Sequence, residues 1–391
     1  MTTTPGPQAD ESPEERLRER RMTAQREAAR ILTRPPYRAS LRERMAHLQA
    51  SAEGYDLDER TDVYGNGVVA ALEERVAGLL GMAAAAFFPT GTMAQQVALR
   101  CWAGRTGVRA VAVHPLAHLE VHERDALSQV AGLRPVHLTD EPRLPTPQEV
   151  REAEEPFGAL ALELPLREAG FVLPTWEELT ATVAAARERD AVVHFDGARL
   201  WESTTHFGRP LAEIAGLADS VYVSLYKSLD GLSGAVLAGP ESLVAEARAW
   251  RHRYGGTLFH QFPAALTALA GLDEELPRLP EYVAHARVVA ASLQEGFTEA
   301  GVPWSRVHPR VPHTHEFQFW LPYDADTLAE AAVLQSEETG TFLFCSPWEE
   351  RGPGVSYTEV SVRAAGLEWG VQDVKDAVAQ FVARLPRGAA D

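Results

Sequence analysis

A lysine between an apolar run and a glycine-rich turn is the residue whose sequence context best suits covalent chemistry. Lys227 follows "SVYVSLY" and precedes "SLDGLSG". Desolvation beside a hydrophobic strand lowers a lysine pKa and supplies the neutral amine that forms a Schiff base. A lone lysine is more often solvated surface, so the interpretation depends on its neighbours.

A carboxylate and a guanidinium end a second apolar run. The segment "VVHFDGARL" places Asp196 and Arg199 three residues apart. A charge at the end of a buried strand is costly unless a partner needs it. Asp196 could hold a proton on a heteroaromatic nitrogen, while Arg199 could bind a carboxylate with its bidentate guanidinium. An ion pair between the two side chains is the alternative.

The segment "FFPTGTMAQQVAL" predicts an anion site where a strand gives way to a helix. Free amides and the positive end of the helix dipole attract a phosphate, and Gly91 lets it come close to the backbone. The hydroxyls of Thr90 and Thr92 add two donors. An ordinary threonine N-cap is the alternative.

These three positions together favour pyridoxal phosphate, because a phosphate site, a carboxylate and a nucleophilic lysine are the groups that anchor it. A dinucleotide site is rejected. The glycines of "GNGVVA" follow no apolar strand, and no acidic residue lies about 20 positions further on. His313 and His315 near Glu316 indicate a polar turn rather than a metal site, so no metal is predicted.

Short apolar runs must position these residues. Between about residue 60 and 275 they alternate with helical stretches, which predicts a mostly parallel sheet flanked by helices. Ligands of such sheets bind outside the carboxyl ends of the strands. The predicted strands are "AAAAFFP", "AVAVHP", "GALALEL", "AVVHFDG", "SVYVSLYK" and "GAVLAG".

Three regions are predicted along the chain: an N-terminal tail and helix (1–35), a large α/β domain (36–275) and a smaller α+β domain (276–391). The polar residues 1–11 are expected to be disordered. Ser12, with a proline after it and a glutamate three residues on, predicts a capping box that opens a charged helix extending to about Ile31.

Composition limits the possible partners. The chain has 391 residues and a formal net charge of -18, which disfavours nucleic acid and anionic membrane surfaces. Its two cysteines are too few for a disulfide framework, and no apolar run is long enough for a signal peptide or a membrane span. We therefore expect a cytoplasmic protein.

The sequence resembles the threonine aldolase and β-eliminating lyase family, which are pyridoxal-phosphate enzymes of fold type I. "FFPTGTMAQQVAL" is similar to the family's phosphate loop, and "HFDGARLWES" to its His-x-Asp-Gly-Ala-Arg segment. "DVYGNGVVAALEERVAGLLG" resembles an early Val-Tyr-Gly and Leu-Glu-Glu element, and "SVYVSLYKSLDGLSGAVLAG" the strand with the Schiff-base lysine. The resemblance implies a fold type I architecture with a smaller C-terminal α+β domain.

The resemblance also implies roles for individual residues. Lys227 would attach the cofactor covalently, and Asp196 would pair with its pyridine nitrogen. His118 would stack on the cofactor ring and is the first candidate for the base, with His122 second. The implied phosphate ligands are Thr90, Gly91 and Thr92. The implied ligands of the substrate carboxylate are Arg199, which would also border the cofactor, and Arg363.

The sequence departs from the family pattern at substrate contacts. An opening Arg-Ser-Asp-Thr segment is absent from the sequence. In "LELPLREAG" either Leu166 or Arg167 replaces a family histidine that touches a substrate β-hydroxyl. "YGGTLFHQ" lacks an arginine that helps to bind phosphate, and Arg363 is shifted by two positions along one strand face.

The implied activity is cleavage of the Cα-Cβ bond of a β-hydroxy-α-amino acid, such as L-threonine or L-allo-threonine, to glycine and an aldehyde. Alternatives are another pyridoxal-phosphate reaction (β-elimination, racemisation or transamination) or a non-catalytic protein with the same fold. The expected partner is a small amino acid. By analogy with the family, we expect a homodimer or homotetramer.

Overall fold

The computed structural model describes residues 12–33, 39–56 and 58–386. The predicted disordered tail, residues 1–11, lies outside this described part. Two compact units are present: one holds the described residues from 39 to Val283, and the other holds those up to 33 together with those from Ala284. In the described ranges, no helix is both long enough and apolar enough to cross a membrane.

The elements are numbered here in chain order. The strands are β1 (Arg30–Ile31), β2 (Ala84–Phe88), β3 (Ala110–Ala112), β4 (Arg134–Val136), β5 (Ala159–Glu163), β6 (Val192–Gly197), β7 (Ser220–Ser224), β8 (Ala235–Gly239), β9 (Arg306–His308), β10 (Glu316–Leu321), β11 (Thr341–Phe342), β12 (Trp348–Gly352) and β13 (Val355–Ser361). The helices are α1 (Pro13–Glu27), α2 (Leu41–Ser51), α3 (Val68–Leu80), α4 (Gly91–Thr106), α5 (His118–Val121), α6 (Ala126–Gln129), α7 (Pro147–Arg151), α8 (Trp176–Arg187), α9 (Thr204–Phe207), α10 (Leu211–Ala215), α11 (Glu241–Arg253), α12 (Phe262–Glu274), α13 (Leu279–Glu299), α14 (Ala325–Thr339) and α15 (Val371–Val382).

The larger unit is built on a seven-stranded sheet in the order β2-β8-β7-β6-β5-β3-β4. Strand β8 is antiparallel to both of its neighbours, and the other pairings are parallel. All residues of β5, β7 and β8 are buried, as expected for strands covered on both faces. The predicted architecture, a mostly parallel sheet with flanking helices, is confirmed.

Helix α4 shows how local sequence fixes an element next to the carboxyl edge of the sheet. The Thr90 side chain accepts a hydrogen bond from the Met93 amide and caps the helix start. At the other end Gly107 adopts a left-handed conformation at φ 71°, which terminates the helix. The middle of α4 is buried, so the helix is held against the sheet by apolar packing.

The smaller unit contains a four-stranded antiparallel sheet in the order β12-β13-β10-β9. Its core is aromatic: the Phe297 and Phe319 ring centroids lie 5.1 Å apart, and Phe319 stacks on Phe344 at 5.7 Å. Such pairs stabilise beyond their buried area. The antiparallel sheet confirms the predicted α+β character of the C-terminal region.

The N-terminal helix begins as predicted, but the prediction of its end was wrong. Ser12 and Glu15 form the expected capping box. The helix stops at Glu27 rather than continuing to about Ile31, because Arg30–Ile31 forms a parallel pair with Thr341–Phe342. Pairing with a strand more than 300 residues away is a tertiary effect that local helix propensity does not contain.

Candidate active site

The carboxyl ends of four strands of the larger sheet bring together the residues that the sequence singled out. Helix α4 begins three residues after β2, and Lys227 lies three residues after β7. Asp196 on β6 lies opposite Glu163 in the register with β5. Parallel strands end at the same edge, so three motifs distant in sequence meet there.

Lys227 is half-buried in this cluster of charges. Burial and the nearby Arg199 guanidinium lower the pKa of the lysine to about 8, while Asp196 acts against that shift. A substantial fraction of the amine is therefore neutral near pH 8, as covalent attachment to an aldehyde requires.

Asp196 is 2% exposed. Burial and the neighbouring Glu163 carboxylate raise the pKa of Asp196 to about 7, and the Lys227 charge partly offsets this. A cationic ring nitrogen beside Asp196 would favour its charged form. The environment therefore suits a pyridinium, so in this respect the residues present fit pyridoxal phosphate.

Residues Thr90, Gly91 and Thr92, here called the phosphate loop, are compatible with both alternatives that the sequence allowed, an anion site and an ordinary N-cap. Thr90 is an ordinary N-cap, since its Oγ1 accepts the Met93 amide at 3.2 Å. The hydroxyl is thus engaged with the helix, and the amides at the start of α4 remain oriented toward the edge of the sheet. Gly91 follows directly and keeps the backbone accessible. The loop therefore has the chemistry of an anion site.

His118 begins helix α5 and is held by two buried carboxylates. Its amide donates to Glu163 Oε2 at 2.7 Å, and its Nδ1 lies 3.2 Å from Glu123 Oε1. The other oxygen of Glu123 accepts from Gln96 Nε2 on α4 at 2.8 Å. This chain of contacts fixes the imidazole orientation, as a residue that stacks on a ring requires.

The structure separates the two residues that could stand in place of the family histidine. Leu166 is fully buried in an apolar cluster, so it does not face a ligand. The Arg167 charge, in contrast, acts on Lys227, and its Nη1 lies 3.0 Å from Glu168 and 3.4 Å from His122. Of the two residues, Arg167 is therefore the one whose charge reaches the site, and its effect on a substrate stays a prediction.

The two arginines implied to bind the substrate carboxylate lie in different units. The Arg199 guanidinium sits over the Phe171 ring, 5.2 Å from its centroid, and its charge reaches Lys227. Arg363 comes two residues after β13 in the smaller unit. The role of each toward a substrate stays a prediction.

Sequence reasoning missed Glu163 and Glu123. Glu163 ends an apolar strand just as Asp196 does, so the signal that identified Asp196 was also present for it. Glu123 lies five residues after His118 and meets it only through the turn that follows α5. No helical or strand spacing in the sequence indicates the contact between Glu123 and His118.

Behind Asp196 on the same strand, a fully buried histidine supports the site. His194 Nε2 lies 2.6 Å from Gln95 Oε1, and its Nδ1 lies 2.7 Å from Ser220 Oγ. The same Ser220 oxygen accepts the indole N-H of Trp102 at 2.8 Å. Burial lowers the pKa of His194 to about 3, so the ring is neutral in the folded protein.

We expect this histidine to make the protein sensitive to acid. Its pKa is about 3 when folded and roughly 6.5 when unfolded, so the unfolded chain binds the extra proton between these values. The free energy of unfolding should therefore fall as the pH drops through that window, by up to about 1.4 kcal/mol per pH unit.

Urea denaturation of His194→Gln at pH 7, 6 and 5 should show a shallower pH slope than the wild type. The exposed His252→Gln is the matched control and should keep the wild-type slope. An unchanged slope in His194→Gln would refute the assignment.

Comparisons with known proteins identify the family of this chain. The family described as beta-eliminating lyase matches residues 38–308. The low specificity L-threonine aldolase of Escherichia coli K12 is 30% identical over 243 residues, which cover 60% of this chain and 72% of that relative.

Two solved structures extend the similarity to nearly the whole chain. A Listeria monocytogenes EGD-E protein to which L-allo-threonine aldolase activity is attributed shows 34% identity and a TM-score of 0.85, over 94% of this chain and 100% of its own. An Exiguobacterium sp. 255-15 protein, described as an aromatic amino acid beta-eliminating lyase/threonine aldolase, shows 34% identity and a TM-score of 0.84 over the same shares. The resemblance seen in the sequence is confirmed, and the chain belongs to the threonine aldolase and β-eliminating lyase family.

Proposed function

We propose that this protein is a pyridoxal-phosphate-dependent carbon-carbon lyase that cleaves a β-hydroxy-α-amino acid, such as L-threonine or L-allo-threonine, to glycine and an aldehyde. The observation that carries the proposal is the position of Lys227, whose lowered pKa comes from burial and Arg199 at the carboxyl edge of the sheet. Family membership supports the same reaction class.

Each residue of the candidate site has its own proposed role in binding the cofactor or the substrate. When bound, pyridoxal phosphate withdraws electrons from the bonds at the substrate Cα. Lys227 would attach the cofactor, Asp196 would hold the proton on its ring nitrogen, and the start of α4 would bind its phosphate. Arg199 would bind the substrate carboxylate through its guanidinium. These groups orient one Cα bond for cleavage.

His118 is our first candidate for the base that takes the proton of the β-hydroxyl. An imidazole can accept and return a proton as a general base, and the Glu123 contact at 3.2 Å holds this one in place. His122 is the second candidate; its Nε2 lies 2.8 Å from Glu168 Oε1. Its ring centroid is 5.2 Å from that of His118, so both imidazoles border the same space.

His118→Phe separates stacking from proton transfer. Phenylalanine keeps an aromatic ring in place but takes no proton, so cofactor affinity should change little while kcat falls by roughly 10²- to 10⁴-fold. The measurements are steady-state kinetics and a cofactor titration by absorbance. Should kcat stay within threefold of the wild type, His118 is not the base, and His122→Phe becomes the next variant.

β-Elimination is the second candidate reaction, because Arg167 stands where family aldolases carry a histidine at the β-hydroxyl. If no residue removes that proton, loss of the Cα proton followed by departure of the β-substituent is the favoured path. The Exiguobacterium relative is itself described with both activities.

Product analysis decides between these reactions. The cofactor-loaded protein is incubated with L-threonine and with L-allo-threonine, and acetaldehyde, glycine and 2-oxobutyrate are measured. Aldol cleavage gives equal amounts of acetaldehyde and glycine. A yield of 2-oxobutyrate without glycine would replace the aldolase by a β-eliminating enzyme, and no turnover of either amino acid would contradict the proposed substrate class.

We also propose a homodimer or homotetramer. An open cleft of about 1240 Å³ is bordered by Leu41, Met45 and Tyr55, all of which are exposed. Tyr64 and Phe259 are exposed as well, and their rings pack edge-on with centroids 5.3 Å apart. Apolar groups of this extent on a surface favour an interface. Sedimentation should give a dimer or tetramer, and Phe259→Asp should dissociate it; a monomeric wild type would contradict the proposal.

The cytoplasm remains our proposed compartment. Cys101 and Cys345 are both buried and not joined in a disulfide. Thiols persist in a reducing interior, which supports this placement. Cell fractionation with an antibody against the protein would test it, and recovery from an oxidising compartment would overturn it.

A further inference from the structure

A buried tyrosine lies directly under the phosphate loop, where the sequence shows only an apolar strand. Tyr222 is the middle residue of β7, pairs with Asp196 in the sheet register, and is 4% exposed. Side chains alternate along a strand, so it shares a face with Ser220 and Ser224. That face packs on α4, since Ser220 accepts from Trp102 of that helix.

The end of the Tyr222 ring reaches the first residue of α4. A methyl group added to Gly91 would overlap the Tyr222 hydroxyl, and it would lie 2.7 Å from Cζ and 3.2 Å from Cε2. Glycine is therefore required here by the tyrosine as well as by any ligand. The hydroxyl is consequently placed at the positive end of a helix of 16 residues.

The chemistry of this hydroxyl is that of a donor. Burial, and secondarily the Asp196 charge, raise the pKa of Tyr222 well above its usual value, so the phenol keeps its proton. In the described ranges, no protein group forms a hydrogen bond with this hydroxyl. Among the described residues this oxygen is not one of the enclosed atoms left without a partner, so it keeps some contact with solvent, and a ligand or water can accept its hydrogen bond.

The buried Arg251, three residues before the altered "YGGTLFHQ" segment, has one guanidinium nitrogen engaged away from the missing phosphate contact. Arg251 does come close to the loop, because Gly256 packs between its Cγ and Met93 of α4. Its Nη1, however, donates to the Phe87 carbonyl and lies 3.4 Å from the Glu73 carboxylate. These bonds direct that nitrogen toward strand β2 rather than toward an anion at the start of α4.

We propose that the Tyr222 hydroxyl donates a hydrogen bond to the phosphate of pyridoxal phosphate at the start of α4 and takes over part of the work of the family arginine that this chain lacks. The inference rests on the proposed function only in that the ligand is this cofactor. The proposal makes Tyr222 of strand β7 a phosphate ligand in addition to the loop residues Thr90, Gly91 and Thr92.

Tyr222→Phe tests the inference through binding rather than turnover. The dissociation constants of pyridoxal phosphate and of pyridoxal, which has no phosphate, are measured on the apoprotein by absorbance. The variant should weaken pyridoxal phosphate by about 10- to 100-fold, the range for one hydrogen bond to a charged group. Pyridoxal binding should change less than twofold, because it lacks the accepting oxygens.

Two further variants make the result specific. Tyr222→Met keeps an apolar side chain without the hydroxyl and should show the same phosphate-dependent loss. Tyr357→Phe removes the hydroxyl of another buried tyrosine, whose partner is Glu349 at 2.8 Å, and should leave both constants unchanged.

The possible outcomes separate this inference from the proposed function. If the wild type binds pyridoxal phosphate and Tyr222→Phe binds it equally well, the inference is wrong while the function stands. Equal weakening of both ligands also refutes it, since the tyrosine would then act on the ring. If the wild type binds neither ligand, both proposals fail.

Discussion

Lys227→Ala should lower kcat/KM by about 10⁴-fold or more, because the residue that attaches the cofactor belongs to a catalytic unit whose members cannot replace one another. Reduction with borohydride after loading should leave a phosphopyridoxyl group on Lys227 in the wild type and none at this position in the variant. The readouts are steady-state kinetics and peptide mass spectrometry.

The composition provides an unusually clean control for this experiment. Lys227 and Lys375 are the two lysines of the sequence. Lys375 is held by Glu295 and Glu299 on the smaller unit, at 3.0 Å and 2.8 Å. Lys375→Ala should therefore keep both activity and labelling. A reduced adduct on Lys375, or full activity in Lys227→Ala, would refute the proposed chemistry.

Asp196→Asn should lower kcat/KM by roughly 10²- to 10³-fold, the range for losing one preorganised electrostatic contact to the reacting group. An amide cannot stabilise a protonated ring nitrogen, so the cofactor withdraws electrons less well. The substitution also removes the charge that raises the pKa of Lys227. The lysine pKa should fall below its present value of about 8, and attachment of the cofactor should then extend to lower pH.

Asp273→Asn is the matched control, because Asp273 is an exposed carboxylate that meets Arg75 at 3.2 Å. It should preserve kcat/KM and the pH profile of cofactor attachment. Those profiles are measured by following absorbance between pH 6 and 9. If Asp196→Asn retains wild-type activity, the proposal that Asp196 pairs with the cofactor ring nitrogen is wrong.

The grouping of most candidate-site residues could be predicted because it depends on strand ends. Asp196 and Lys227 follow buried apolar runs, and parallel strands bring such ends together whatever the loops do. Glu123 could not be found this way, since its contact with His118 depends on a short helix and a turn. Tyr222 was hidden for a different reason, because a tyrosine inside an apolar strand is normally core.

The fold was predicted well where strands are long and buried, and less well at edges. Strand β4 (Arg134–Val136) begins with an exposed arginine and contains a proline, so its sequence lacks a strand signal. Strand β1 has two residues and exists through its pairing with β11. In both cases tertiary contacts, absent from a local pattern, determine the backbone conformation.

The carboxylate of Glu163 forms hydrogen bonds with two segments, one that carries His118 and one that carries Arg167. One oxygen accepts the amide of His118 and the other accepts the amide of Arg167 at 3.2 Å. A change that displaces the Arg167 loop to admit a different side chain should therefore also shift the start of α5, where His118 lies. Under the roles proposed for Arg167 and His118, substrate range and catalytic rate depend on each other through Glu163, and directed evolution toward new aldehydes should proceed fastest when Glu163 is kept and its two loops are varied together.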